Sequence, residues 1–217
     1  MHKVLAEIIA GVIPHKMTRN RWRGILRFGL INAIRLKAQI KKDHTSPKHY
    51  LSVCAIAKNE GPYFKEWIEW HLKQGVDKFY VYDNESTDDT KSILDPYIQS
   101  GIVEYKYWPG HRRQLAAYDD CLENNRFASR WIAFIDLDEF IVPLKDASIP
   151  EFLARFESFA AVEINWLVYG SGGRKTKTPG TMMERFRFHS VPNHYLNRHV
   201  KSIVNTRRVF AMIGCHE

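Results

Sequence analysis

Residues 131–139 read WIAFIDLDE, an apolar run of strand length that delivers three carboxylates, Asp136, Asp138 and Glu139, to the end of a buried element. Holding that much negative charge beside a core is costly unless a counter-charge stands there. A hard divalent ion such as Mg²⁺ or Mn²⁺ supplies one, because it accepts carboxylate oxygen and leaves coordination positions for phosphate. The plain alternative is an acidic strand-to-loop turn, since an Asp-x-Asp pair is common.

Upstream the chain alternates between two periods. Residues 51–57 (LSVCAIA), 78–82 (KFYVY) and 103–107 have strand character, as do 131–136. Helical patterns cover 63–74, with Phe64, Trp67, Ile68 and His71 on one face, then 87–99 behind Ser86 as an N-cap, and 112–124. This alternation implies an α/β fold, a mostly parallel, Rossmann-like sheet flanked by helices and joined by right-handed crossovers. Farther on, Ser148 and Glu151 form a capping-box signal for a helix to about residue 156. Residues 161–168 form another strand, and a loop-rich, basic stretch leads to a last strand at 202–204. In an open α/β sheet, ligands bind beyond the carboxyl ends of the strands. Three such ends carry polar clusters: Ala57-Lys58-Asn59-Glu60-Gly61, residues 83–89 (DNESTDD) and residues 136–139. All three are expected on one edge. Neither GxxxxGK[ST] nor GxGxxG occurs, so a glycine-rich phosphate nest is not indicated.

The net charge of +8 is segregated. Residues 1–48 hold eleven Lys and Arg against two acids, and the rest of the chain holds 21 basic and 22 acidic residues. The basicity belongs to an N-terminal arm, and nucleic-acid binding is not expected of the body. Over residues 19–42, Trp22, Ile25, Leu26, Gly29, Ala33, Leu36 and Ile40 follow helical spacing, with Arg19, Arg23, Arg27 and Arg35 largely off the stripe. A basic amphipathic helix of this kind lies in an anionic membrane interface or packs on the body. No apolar run approaches the roughly 18–20 residues that span a bilayer. The short stretch 8–13 lacks a small-residue cleavage site, which argues against a signal peptide. Three cysteines, an odd number without a CxxC, fit a reducing compartment. The expected organisation is an arm over 1–48 and an α/β domain over 49–217. The expected location is the cytoplasm, peripheral on the inner face of its membrane.

Several blocks together resemble a known family. CAIAKNEGPYFKEWIEWHLKQGVDKFYVYDNESTDDT (54–90), RQLAAYDDCL (113–122), RWIAFIDLDEFIVP (130–143), NWLVYGSGG (165–173) and KSIV (201–204) look like the successive blocks of glycosyltransferase family 92 and the related family-2-like enzymes. The arm resembles that of bacterial enzymes that glycosylate lipopolysaccharide or surface polysaccharide. The resemblance implies a GT-A fold, a nucleotide-sugar donor (a UDP-hexose) and transfer to a glycan or glycolipid hydroxyl with inversion. By analogy Ala57, Asn59 and Glu60 line the nucleoside pocket, Asp83 contacts the base, and Asn84 and Ser86 shape that loop. Arg112 and Gln114 approach the nucleotide or diphosphate, Lys58 and Arg174 add charge, and Asp120 faces the donor. Asp136 binds ribose or donor sugar, Asp138 holds the metal with Asp136 beside it, a late His216 is a further ligand, and Glu139 orients the group. Inversion requires a base that deprotonates the incoming hydroxyl. Glu184 is the first candidate and Glu163 the second. Trp166 and Tyr169 form a sugar platform or pack in the core. Family members normally continue past this point, so a longer C-terminal part is expected. The competing readings are a metal-dependent nucleotide-sugar hydrolase or nucleotidyltransferase, and an inactive transferase fold that binds glycan or membrane.

Overall fold

The structure is a computed structural model that describes residues 16–212 and 214. Two basic helices, α1 (Lys16–Phe28) and α2 (Leu30–Lys42), precede the sheet. The spacing over 19–42 predicts one helix, and the structure breaks it at Gly29, whose φ of 95° is a conformation glycine adopts without strain. Both helices dock on the body. Arg27 pairs with Asp119, the Phe28 ring lies 6.3 Å from that of Phe210, and Ala33 and Leu36 are buried.

The apolar run 51–57 becomes the heart of β1 (His49–Ala57), buried from Leu51 to Ala55. Next come α3 (Gly61–Lys73), β2 (Lys78–Asp83), α4 (Thr90–Gln99), β3 (Val103–Tyr107), α5 (Gln114–Asn125) and β4 (Ser129–Phe134). The chain continues through α6 (Ile149–Ala154), β5 (Ala161–Asn165), β6 (Tyr169–Gly170), α7 (Met182–Arg185), β7 (Phe188–His189), a 3-10 turn and β8 (Val200–Asn205). The main sheet runs β3-β2-β1-β4-β8-β5. Strands β1 to β4 are parallel, and β8 runs antiparallel between β4 and β5. Because side chains alternate across a strand, each face receives its own core. Leu51, Val53 and Ala55 meet Phe64, Trp67, Ile68 and Leu94 from α3 and α4. On the other face Cys54, Tyr80 and Phe134 meet Tyr118, Cys121 and Leu122 from α5.

Several boundaries move for local reasons. Helix α4 starts at Thr90 rather than 87, because residues 84–89 are tied into a loop, so Ser86 is not its N-cap. Helix α5 starts at Gln114, after Arg112 with a left-handed φ of 54°. Strand β5 ends at Asn165, short of 168, and residues 169–170 pair instead with 188–189. Ser148 does cap α6, accepting the Glu151 N–H at 3.3 Å. The starts of α3 and α4 approach so closely that a Cβ on Gly61 would sit 2.7 Å from Asp89 Oδ1.

Candidate active site

Parallel neighbours β1, β2 and β4 end on the same edge, with Ala57 beside Asp83. The loops after β1 and β2 are laced together there. Asn59, at a φ of 57°, donates its N–H to Ser86 Oγ (2.9 Å) and accepts the Thr87 N–H on Oδ1 (2.7 Å). Asp83 is 4% exposed, accepting the Ser86 N–H on Oδ1 (2.8 Å) and the Tyr105 hydroxyl on Oδ2. Asn84 donates to the carbonyls of Trp108 and Gly110, both at 2.8 Å. Lys58 and Arg112 are exposed on this edge. Asp120 is held between α5 and the sheet by the Tyr82 hydroxyl and the Lys106 ammonium, both at 2.6 Å.

The acidic loop after β4 is fixed from α3. The Trp67 indole N–H donates to the carbonyls of Asp136 (3.1 Å) and Glu139 (3.0 Å), and the Trp70 indole N–H to that of Ile141 (3.1 Å). His71 is fully buried. Its Nε2 takes the Ile141 N–H at 3.3 Å and its Nδ1 faces the Trp67 carbonyl at 2.8 Å, a pair of contacts that requires the neutral ring protonated on Nδ1. Burial pushes its pKa down to about 4. These residues sit at helical spacing for packing, and the two indole donors and the His71 acceptor also do the loop's hydrogen bonding.

The counter-charge for the acids comes partly from the chain itself. Lys201, on β8 and 2% exposed, places Nζ 2.6 Å from Asp136 Oδ2 and 3.2 Å from Glu139 Oε2. Asp136 Oδ1 also accepts from Gln114 Nε2 (3.0 Å) and the Tyr118 hydroxyl (3.4 Å). Glu139 Oε2 receives the Asp136 N–H at 2.9 Å, yet burial still pushes its pKa up to about 7. In the sequence the signal for Lys201 is a lysine set between Val200 and Ile203 in a strand.

Glu60 and Asp138 are left facing the edge. Glu60 has a raised pKa, through burial first and then the charges of Asp138, Asp136 and Asp88. Asp138 is exposed and has no hydrogen-bond or ion-pair partner among the described residues. Among those residues no three His, Cys, Asp or Glu converge as a protein-only metal cage. Mg²⁺-like ions need fewer: one or two carboxylates, with substrate phosphates and water completing the shell. A free Asp138 beside a repelled Glu60 meets that demand, so the residues present fit a divalent ion bound together with a diphosphate. His216 lies outside the described residues.

Beyond the acidic loop opens a cleft of about 710 Å³. Asp136, Asp138, Glu139 and Lys201 form its floor, and Trp166, Tyr169, Met182, Met183 and Phe186 are among its walls. Trp166 stacks on His199 with ring centres 5.1 Å apart. Neither expected base lines this cleft. Glu184 closes a capping box: Oε2 accepts the Thr181 N–H at 2.9 Å while the Glu184 N–H donates to Thr181 Oγ1, and its pKa is lowered by that backbone bond first. Glu163 pairs across from Ser202, on the opposite strand face from Ile164 and Lys201, and is exposed. Arg174 donates to the carbonyls of Ser171 and Arg185 and serves its own loop. A residue that sequence reasoning missed supports the cleft wall: Glu66 of α3 accepts the N–H groups of Met182 (2.6 Å) and Met183 (3.0 Å) at the start of α7.

A mostly parallel sheet with carboxylates gathered beyond the ends of β1, β2 and β4 has the architecture of GT-A-type nucleotide-sugar transferases. The chain belongs to glycosyltransferase family 92, whose sequence profile matches residues 49–216. A family 92 protein of Ricinus communis is 33% identical over 93 residues, covering 42% of this chain and 17% of its own. A β-1,4-galactosyltransferase of Caenorhabditis elegans is 31% identical over 130 residues, covering 51% of this chain and 30% of its own. The chain thus spans a third or less of the length of these curated relatives. Among solved structures, S. aureus TarS 1-349 is 18% identical, with 72% of this chain and 47% of that one covered at a TM-score of 0.46.

Proposed function

We propose that this domain transfers a hexose from a UDP-linked donor to a glycan or glycolipid hydroxyl, with a divalent ion and with inversion at the anomeric carbon. The observation that carries the reading is an exposed Asp138, without a partner among the described residues, at the floor of the cleft, with Glu60 near it at the sheet edge. The nematode relative is named a β-1,4-galactosyltransferase, which makes UDP-galactose the first donor to test.

Asp138 would hold the ion, with Glu60 close by, and the ion when bound would neutralise the departing diphosphate. The protein's own groups do the rest. The loop laced by Asn59, Asp83 and Ser86 presents a fixed rim for the nucleoside, and Asp83 shapes that rim with both carboxylate oxygens. Lys201 holds Asp136 and Glu139 in place, so that the acidic loop meets the donor with one geometry. Trp166 and Tyr169 offer ring faces to a sugar entering the cleft.

Calorimetric titration of UDP with and without Mn²⁺, repeated on Asp138→Asn, tests the donor site. Metal-dependent binding that the substitution abolishes supports it, and metal-independent binding retained by the variant sinks it. Sugar release at equal rate with and without acceptor would assign hydrolysis instead.

A further inference from the structure

The apolar stripe that the sequence marks on the arm is not the stripe the structure leaves bare. Ala33 and Leu36 of α2 are buried against the body, and Ile40 of the same face is half-buried. At 100° per residue, the opposite side of α2 carries Ile31, Ile34 and Ala38, with Leu30 on its flank. Leu30, Ile31 and Ile34 are 53%, 66% and 63% exposed. Arg35 flanks this stripe and Lys41 and Lys42 close its end, all exposed, and α2 contains no acid. Contiguous aliphatic surface rimmed by charge marks a contact site rather than a solvated face.

The charge around the stripe selects the partner. Residues 1–48 hold eleven basic and two acidic residues, while the rest of the chain is close to balance. That pattern complements an anionic surface with an apolar interior. No described helix is long and apolar enough to cross a membrane, and α2 has 13 residues, so its geometry suits lying on a bilayer. We propose that α2 is a docking surface for an anionic lipid bilayer, with Leu30, Ile31 and Ile34 entering the acyl boundary and Arg35, Lys41 and Lys42 meeting the headgroups. The body-facing side of the same helix fixes the domain against that surface. The proposal stands independently of the transfer reaction.

The test is flotation of the full chain with phosphatidylcholine vesicles, with and without phosphatidylglycerol. Binding is expected only with the anionic lipid, and to weaken as salt rises from about 0.1 M to about 0.5 M. Ile31→Ser with Ile34→Ser should weaken partitioning at least about tenfold. Lys41→Gln with Lys42→Gln should weaken it roughly fivefold per lysine. The lysine pair is exposed and keeps the test informative should the isoleucine variant unfold. The proposal is overturned by absent or lipid-independent binding, or by lysine variants that bind like the parent. It is equally overturned by a dimer that the isoleucine substitutions dissolve, or by preference for duplex DNA over anionic vesicles in matched salt.

Discussion

Replacing Lys201 by Met keeps the length and apolar stem of the side chain and removes its charge. Lys201 is 2% exposed, and its ammonium lies 2.6 Å from Asp136 and 3.2 Å from Glu139. Removing one partner of a buried ion pair costs about 3–5 kcal/mol, because the remaining charge is left uncompensated. Here the carboxylates keep some contact with solvent, with side-chain exposures of 33% and 18%. The lower end, about 3 kcal/mol at pH 8, is therefore expected. The sign of the pH dependence follows from the same contacts. Glu139 already titrates near 7 with the lysine present, well above an unfolded glutamate. Without the lysine Glu139 rises further, so the folded variant holds a proton that the unfolded chain has released, and ionising it costs stability as pH rises. Toward pH 5 Glu139 is protonated and the lysine has less to pair with, so the gap should shrink to about 1 kcal/mol. Urea unfolding of parent and variant at pH 5, 6.5 and 8 measures this. A gap below about 1 kcal/mol at pH 8, or one that does not change with pH, would refute the reasoning and leave Lys201 acting through its stem.

Three further outcomes are expected. His71 has a folded pKa of about 4 against an ordinary value of 6.5, so its contribution is complete above pH 6.5 and is lost as pH falls toward 4. A His71→Phe variant should be less stable than the parent at pH 7, with a gap that closes by about 3 kcal/mol between pH 6.5 and pH 4. Glu139 shifts the parent's own curve in the opposite direction, so the difference between the two curves is the quantity to read. Glu66→Ala frees the start of α7 from two charge-assisted bonds of about 1.5 kcal/mol or more each, and should raise acceptor KM while UDP affinity in calorimetry stays within twofold. Glu184→Gln weakens a capping box worth about 1 kcal/mol. Turnover within a few-fold of the parent is expected, and a hundredfold loss with UDP binding intact would restore Glu184 as the base.

The fold was legible because its signals are local. Strand-length runs such as 51–57 and 131–135, separated by amphipathic stretches, specify the alternation, and the alternation specifies a sheet whose polar strand ends share an edge. Boundaries were lost where a side chain far along the chain decides them. Residues 87–89 look helical until Asn59 takes the Thr87 N–H, and 166–168 look like strand until the Val168 N–H turns to the Asn197 side chain. The arm shows the limit differently. Apolar spacing located Ala33 and Leu36, which the structure buries, but it also marked Trp22, which stays exposed, and it could not say what buries the rest. The body is reached by Arg27 and Phe28, neighbours that lie off that stripe. At the site, the acids announce themselves as a cluster, whereas the lysine that answers them comes from a strand 65 positions away.

That lysine changes what the acidic motif means. Glu60, Asp136, Asp138 and Glu139 bring four carboxyl groups to one edge, and a single buried ammonium cannot balance them. The structure divides them instead. Asp136 and Glu139 turn inward to Lys201 and to backbone donors and become part of the scaffold. Glu60 and Asp138 stay outward, and the pKa of Glu60 is raised by burial first and then by the charges of Asp138, Asp136 and Asp88. A diphosphate approaching that pair alone meets like charge in a partly desolvated place, where repulsion is poorly screened. On the proposed function the outward pair therefore favours a donor that arrives with its cation over a free nucleotide. The inward pair fixes where that outward charge sits, through bonds from Trp67, Gln114 and Lys201. One acidic stretch thus does two jobs, and the direction each carboxylate turns decides which.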